Sequence, residues 1–183
     1  TAVFISGTGS NFKNLIKHSL KNNSKFKITL VISNKSNAKG LDCANKYKVN
    51  KKIINYLNTR NAEKNILTAL KKNNIDLICL AGFMKILTNN FIKQFKGKII
   101  NIHPSLLPKY KGLNTHQRAI DSNEKYSGCT VHYVTSKLDS GKIILQKKIR
   151  ILKTDTGHKL AKRVLVQEHF LYPKALNKVL TSL

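Results

Sequence analysis

Acidic residues are scarce in this 183-residue chain. It has 8 Asp and Glu residues against 34 Lys and Arg, which gives a formal net charge of +26. A charge of this size invites a nucleic-acid-binding interpretation. However, only four of the basic residues are arginine, the residue that sequence-specific nucleic-acid contacts favour. The lysines are scattered over every predicted helix, so we interpret them as solvated helix faces and predict no nucleic-acid partner.

Cysteines and long apolar runs are also few. Cys43, Cys79 and Cys129 lack metal-ligand spacing, which predicts free thiols in a reducing compartment and no metal site. No run of about eighteen apolar residues indicates a membrane span, and the opening T-A-V-F-I-S-G lacks the basic start of a signal peptide. We therefore expect a cytoplasmic protein without a membrane partner. The length predicts a single domain, residues 1–183.

Apolar runs alternate with segments of helical periodicity along the chain. This β-α-β-α-β order predicts the α/β class, a single-domain, doubly wound, mostly parallel sheet with helices on both faces. The predicted strands are 2–6, 26–33, 52–55, 76–81, 99–102, 128–135 and 142–151, the last two partly antiparallel. The predicted helices are 12–20, 40–47, 62–72 and 156–183, the last kinked or broken at Pro173.

In open α/β sheets, ligands bind beyond the carboxyl ends of the strands. The first such end carries G-T-G-S-N, residues 7–11, which leads into a helix. Free N–H groups at a helix start suit a phosphate, although a plain N-cap is an equally good interpretation. Phe12 stands where a G-x-G-x-x-G dinucleotide motif needs its last glycine.

The strand D-L-I-C-L-A also ends in an unusual segment. Gly82 breaks the strand, and Met84, Ile86 and Leu87 follow in a largely apolar loop. These side chains either cover the core or line a flat apolar slot for a heteroaromatic ligand. Periodicity does not decide between the two.

A third strand end holds two polar side chains, Asn101 and His103. They are two residues apart and so share one face of an extended backbone, which Pro104 keeps extended. A histidine here is either structural or a proton shuttle paired with an amide oxyanion donor, a pair that suits addition to a carbonyl. Such a histidine needs a carboxylate, and Asp139 in K-L-D-S-G-K is either that group or an ordinary turn aspartate.

Glu168 is the other acid that stands out. It lies within an apolar stripe of the last predicted helix, where a carboxylate needs a partner. A cationic amine of a substrate and a lysine salt bridge explain it equally well.

Several of these segments together resemble one family. I-S-G-T-G-S-N, A-G-F-M-K-I-L, N-I-H-P-S-L-L-P-K-Y-K-G, S-K-L-D-S-G and V-Q-E-H occur in the order and spacing of the phosphoribosylglycinamide formyltransferases, which are folate-dependent enzymes of purine synthesis. The resemblance covers nearly the whole chain. H-P-S-L-L-P alone also resembles methionyl-tRNA formyltransferase and formyltetrahydrofolate deformylase.

The resemblance implies a role for each group of residues. The catalytic residues would be Asn101 on the formyl oxygen, His103 as acid/base, and Asp139, which would raise the pKa of His103 and order a water. The residues expected to bind the nucleotide substrate are Gly9, Ser10, Asn11 and Glu168. Those expected to bind the formyl donor are Arg60, Met84, Lys85, Ile86, Leu87 and Asn101.

The resemblance also implies a reaction. The formyl group of 10-formyltetrahydrofolate, a co-substrate, would pass to the amine of 5'-phosphoribosylglycinamide by direct attack through a tetrahedral intermediate, without a metal. The partners would be these small molecules, and the chain would be a monomer or a weak homodimer. The alternatives are a deformylase or methionyl-tRNA formyltransferase that uses the same donor, and a non-enzymatic basic RNA-binding protein.

Overall fold

The computed structural model describes residues 1–181, which fall into two compact units, residues 1–100 and the chain from Asn101 onward. The described residues form seven strands and six helices. In chain order they are β1 Ala2–Ile5, α1 Ser10–Ser19, β2 Leu30–Ser33, α2 Gly40–Lys46, β3 Asn50–Ile53, α3 Thr59–Lys72, β4 Leu77–Leu80, α4 Asn89–Gln94, β5 Lys98–His103, α5 Thr115–Asp121, β6 Tyr126–Tyr133, β7 Ile143–Arg150 and α6 Gly157–Thr181.

The first unit is built on parallel strands. They lie in the order β3-β2-β1-β4, followed by the first half of β5, and β1 pairs in parallel with both β2 and β4. β1, β2 and β4 are buried along their whole length, as expected of near-continuous apolar runs in a parallel sheet. β3 is exposed throughout, which explains why it accommodates two lysines.

The second unit contains residues 101–103 of β5, followed in the sheet order by β6 and β7. β6 and β7 are antiparallel, and their register shifts between Val131 and His132. Helix α6 packs against both strands with a buried face that includes Val164, Tyr172 and Leu176. The antiparallel pairing predicted for the last two strands is confirmed.

Most differences from the predicted elements are at their ends. β2 begins at Leu30 because the preceding Phe26 and Ile28 are buried without joining the strand ladder. α4 and α5 were not predicted, since helices of six and seven residues show too little periodicity. α6 runs through Pro173 without a break, and the last two residues of the predicted helix lie outside the described residues. The single-domain assignment stays a prediction.

No helix within residues 1–181 combines the length and the hydropathy that a bilayer crossing requires.

Tyr56, in the first unit, is a buried side chain with an unusual hydroxyl. Its ring packs edge-on against Phe83, with ring centroids 5.8 Å apart. Its Oη is buried without a hydrogen-bond partner among the described residues. Burial and the nearby Glu63 carboxylate raise the pKa of this phenol well above its ordinary value. The hydroxyl is therefore neutral and costs free energy on folding.

The substitution Tyr56→Phe is expected to raise the free energy of unfolding by about 1 kcal/mol, because it removes an unpaired buried hydroxyl and keeps the ring. Urea unfolding monitored by circular dichroism measures the change. Tyr126→Phe, at an exposed tyrosine, is the matched control and should alter it by less than about 0.5 kcal/mol. A loss of stability in Tyr56→Phe would show that the hydroxyl has a partner.

Candidate active site

Strand β5 places Asn101 and His103 on one face of the second unit, as their spacing predicts. His103 is buried, with 5% of its surface exposed, and Asn101 is half-buried. Pro104 follows at once, and its carbonyl accepts a hydrogen bond from the Thr115 hydroxyl at 2.8 Å. The end of the strand is thus tied to the start of α5.

The first contact that defines the chemistry of His103 is with a backbone carbonyl. His103 Nε2 lies 2.8 Å from the carbonyl oxygen of Tyr110. A carbonyl oxygen only accepts hydrogen bonds, so Nε2 carries a proton and donates it. In the neutral ring the lone pair is therefore on Nδ1, and Nδ1 is the atom that can take up a proton.

The Tyr110 carbonyl is held in place by a network around its own side chain. Tyr110 has a left-handed backbone, with φ of 56°. Its hydroxyl donates to Glu124 at 3.0 Å, and the Arg118 guanidinium lies 5.3 Å from its ring centroid. Arg118 also donates to the carbonyl of Lys111 at 2.7 Å. These contacts fix the loop that orients His103.

Asp139 faces the other ring nitrogen of His103. The distance from Asp139 Oδ2 to His103 Nδ1 is 3.4 Å, and the same oxygen accepts the Gly112 N–H at 2.9 Å. Asp139 Oδ1 is 3.6 Å from His132 Nε2. Asp139 has a φ of 45°, a conformation that aspartate tolerates better than most residues. The predicted turn aspartate therefore does face the histidine.

His132, on β6, connects Asp139 to Asn101. Its Nδ1 lies 2.9 Å from the carbonyl of Tyr133, so Nδ1 carries a proton. In the neutral ring Nε2 is then an acceptor, and Asn101 Nδ2 donates to it at 3.3 Å. This contact orients the Asn101 amide with its nitrogen towards His132.

Burial decides the charge of His103. Burial lowers the pKa of His103 below its ordinary value, whereas the Tyr110 carbonyl and Asp139 raise it. His132 and Arg118 add to the lowering. Burial outweighs the effect of Asp139, so the histidine is neutral near pH 7.

The carboxylate of Asp139 stays ionised. Burial raises its pKa, but the adjacent His132 ring, the hydrogen bond from the Gly112 N–H and the His103 ring lower it below the ordinary value. A neutral base with a fixed carboxylate behind it suits a proton-transfer step, because the carboxylate stabilises the imidazolium that forms. An amide N–H beside it suits a developing oxyanion. Among residues 1–181 no group of three or more His, Cys, Asp or Glu side chains could hold a metal ion.

In the first unit, the loop before α1 turns sharply into the helix. Gly9, the N-cap of the helix that Ser10 begins, has a φ of 68° and no side chain with which to cap the helix. A Cβ on Gly9 would lie 2.7 Å from the Cα of Gly40, at the start of α2. The glycine is thus required both by the turn and by close packing against α2. Asn11 is buried at the second position of the helix.

The segment after β4 shows which apolar side chains cover the core and which do not. Leu87 is buried, but Met84 and Ile86 are 61% and 72% exposed. Lys85 extends over the ring of Tyr56, with Nζ 5.8 Å from the centroid. Two exposed apolar side chains on an ordered loop are typical of a ligand-binding surface. Arg60 is exposed in the first turn of α3.

Glu168 is buried on the inner face of α6, as the apolar stripe predicts. Burial of the Cys129 thiol on β6 and, to a smaller extent, the charge of the Glu168 carboxylate raise the pKa of that thiol to about 12. The carboxylate therefore faces β6 within the second unit.

Sequence reasoning missed the backbone and supporting groups of this site. The carbonyl of Tyr110 and the N–H of Gly112 carry no side-chain signal, and Arg118 looked like one more surface cation. His132 is a lone histidine in the predicted strand 128–135 and belongs to no motif. The glycine in K-Y-K-G was the one local sign of an unusual backbone, and Gly112 does have a φ of 78°.

Comparisons with known proteins agree with this geometry. A family model described as "Formyl transferase" matches residues 1–176. The chain is 43% identical to the phosphoribosylglycinamide formyltransferase of Haemophilus influenzae, over 94% of this chain and 82% of that protein. It is 37% identical to the protein of that name from Escherichia coli, over 96% of this chain and 84% of that protein.

Longer relatives also match. The chain is 43% identical to the human trifunctional purine biosynthetic protein adenosine-3, over 97% of this chain. That alignment covers 18% of the human protein, and the chain likewise spans only a small part of the other trifunctional relatives, 13% of that from Chironomus tentans.

Solved structures give the same assignment. The phosphoribosylglycinamide formyltransferase of Brucella melitensis matches with a TM-score of 0.93 and 43% identity, over 98% of this chain and 94% of that one. The predicted α/β class is thereby confirmed. Since the family model matches nearly the whole chain and relatives above 30% identity are covered over most of their length, the chain belongs to the formyl transferase family.

Proposed function

We propose that this chain transfers the formyl group of 10-formyltetrahydrofolate to the amine of 5'-phosphoribosylglycinamide. The observation that carries the proposal is the cluster of Asn101, His103 and Asp139 in the second unit, with the proton-accepting Nδ1 of His103 facing the carboxylate at 3.4 Å. Relatives at 37–43% identity bear the name of this activity.

The first step is attack of the substrate amine on the formyl carbon of the donor. A C–N bond forms, the carbonyl π electrons move to oxygen, and the amine nitrogen becomes positively charged. The second N–H of the Asn101 amide donates to the oxyanion. A water ordered by Asp139 passes the proton from the nitrogen to Nδ1 of neutral His103, and the imidazolium is stabilised by Asp139. No covalent bond to the enzyme is formed.

The second step returns the proton. As the oxyanion collapses to a carbonyl, the bond from the formyl carbon to the folate nitrogen breaks. That nitrogen takes the proton from His103 Nδ1, so the products are the formylated amide and tetrahydrofolate. His103 ends neutral, with Nε2 still bonded to the Tyr110 carbonyl, ready for the next cycle.

The two substrates use different side chains. The nucleotide phosphate binds the N–H groups at the start of α1, with Gly9, Ser10 and Asn11, because a helix N-terminus favours an anion. Glu168 meets the nucleotide substrate. The donor binds Met84, Lys85, Ile86 and Leu87 through its ring system, and Arg60 contacts its negatively charged tail.

The partners in this proposal are the two small molecules alone. The chain acts as a cytoplasmic monomer or weak homodimer, without a metal or a nucleic acid. The positive charge assists by attracting anionic substrates.

Replacement of His103 tests the reaction and the site together. In wild-type protein, donor turnover should depend on the nucleotide substrate. In His103→Ala, kcat should fall about 10²- to 10⁴-fold because the proton carrier is lost. The absorbance change on donor deformylation measures both rates.

His158→Ala, at an exposed histidine of α6, is the matched control and should keep full activity. Circular dichroism establishes that both variants fold. Turnover of the donor without any nucleotide would identify a deformylase instead, and inactivity of folded wild-type protein would overturn the proposal.

The pH dependence of kcat/KM tests which form of His103 reacts. Because burial holds its pKa below 6.5, kcat/KM should fall as the pH drops, first through the substrate amine at about 8 and again below 6.5 through His103. Asp139→Asn removes a carboxylate that raises the pKa of His103. The lower break should therefore move to still lower pH, while kcat falls about 10²-fold.

Asp121→Asn, an exposed carboxylate on α5, should leave both breaks in place. Activity that rises as the pH falls from 7.5 to 6 would show that protonated His103 is the reactive form in the free protein.

A further inference from the structure

A buried carboxylate in the first unit is not part of the site described above. Glu63 lies on the inner face of α3 with only 5% of its surface exposed. A carboxylate in such a place costs free energy unless hydrogen bonds satisfy its oxygens. The contacts of Glu63 therefore indicate what it does.

Both carboxylate oxygens of Glu63 bind one residue, Thr88. The Thr88 N–H donates to Oε1 at 2.7 Å, and the Thr88 hydroxyl donates to Oε2. The Thr88 Oγ1 in turn accepts the Phe91 N–H at 3.1 Å and so caps α4. A charged acceptor makes stronger hydrogen bonds than a neutral one, so this pair fixes Thr88 firmly to α3.

Thr88 is the last residue of the loop that follows β4. We name residues 82–88 the donor loop. Its first half is held by Ser6, whose Oγ accepts the Met84 N–H at 2.8 Å, and by Phe83, which packs on Phe4 with ring centroids 5.3 Å apart. The two ends of the loop are thus anchored by different elements, and the exposed Met84 and Ile86 lie between the anchors.

The same helix carries Arg60, three residues before Glu63 and on a neighbouring position of its surface. The loop that presents Met84 and Ile86 is therefore attached to the helix that presents Arg60. A fixed attachment keeps Arg60 at a constant position relative to Met84 and Ile86. A neutral side chain could accept a hydrogen bond from Thr88 and would cost less free energy to bury than a carboxylate. The charge of Glu63 therefore points to a role in holding Thr88 in position rather than to a gain in folding stability.

We infer that Glu63 is a positioning residue for the formyl donor: its hydrogen bonds to Thr88 hold the donor loop on α3 so that Met84 and Ile86 bind the folate ring while Arg60 reaches the tail. This inference rests on the proposed function for the identity of the ligand. It concerns a residue outside the sets named above as catalytic or substrate-binding.

The test compares Glu63→Gln with wild-type protein. Gln has the same size as Glu and keeps one acceptor oxygen. It loses the charge and the second oxygen, which accepts the hydrogen bond from the Thr88 hydroxyl. The KM for the donor should rise about tenfold, while kcat changes less than about twofold and the KM for the nucleotide is unchanged. The dissociation constant of 5,8-dideazafolate, measured by calorimetry, should increase by the same factor.

Two further variants separate position from stability. Thr88→Ser keeps the hydroxyl and should retain wild-type donor KM. Thr88→Val should raise the donor KM at least as much as Glu63→Gln, because it removes both the hydroxyl that binds Glu63 and the cap of α4. Asp42→Asn, an exposed carboxylate at the start of α2, should change nothing. An unchanged donor KM in Glu63→Gln, or an equal loss in kcat and in both KM values, would overturn the inference.

These experiments distinguish a failure of the inference about Glu63 from a failure of the proposed function. If wild-type protein binds 5,8-dideazafolate but transfers no formyl group, the proposed function fails. The inference is then decided by binding alone: weaker folate binding in Glu63→Gln supports it, and equal binding overturns it.

Discussion

The hydrogen bond between His103 Nε2 and the Tyr110 carbonyl is the constraint on which the cluster of Asn101, His103 and Asp139 depends. At 2.8 Å it leaves one tautomer for the neutral ring and so assigns the proton-accepting role to Nδ1. Asp139 then faces the atom that gains charge, and its own orientation depends on the Gly112 N–H. If the loop after Pro104 took another path, both partners of His103 would be lost together.

The cluster balances two opposing electrostatic requirements. Burial excludes water from His103 and lowers its pKa, which keeps the ring a base, while Asp139 limits the lowering and stabilises the charge once a proton arrives. A more exposed histidine would have a higher pKa and would be protonated to a larger extent near neutral pH. The second unit therefore combines a buried base with a carboxylate that stays ionised.

Sequence patterns predicted the side chains of this cluster better than its charge state. The two-residue spacing of Asn101 and His103 placed them on one face, and the scarcity of acids made Asp139 conspicuous. The Tyr110 carbonyl was invisible because every residue has one, and only the backbone path decides where it points. The net shift at His103 likewise depends on burial, which no local pattern reports. Glu63 was missed because a single glutamate in an amphipathic helix reads as a surface residue.

The contact between Gly9 and Gly40 restricts how this chain can vary. A Cβ on Gly40 would lie 2.6 Å from the Ile5 side chain and 3.0 Å from the Cα of Gly9, so neither glycine accepts a side chain unless the other segment moves. A bias towards lysine and asparagine can fill exposed helix faces at little cost. It cannot spread to these two buried positions, and a comprehensive substitution library should show both glycines as intolerant of any side chain.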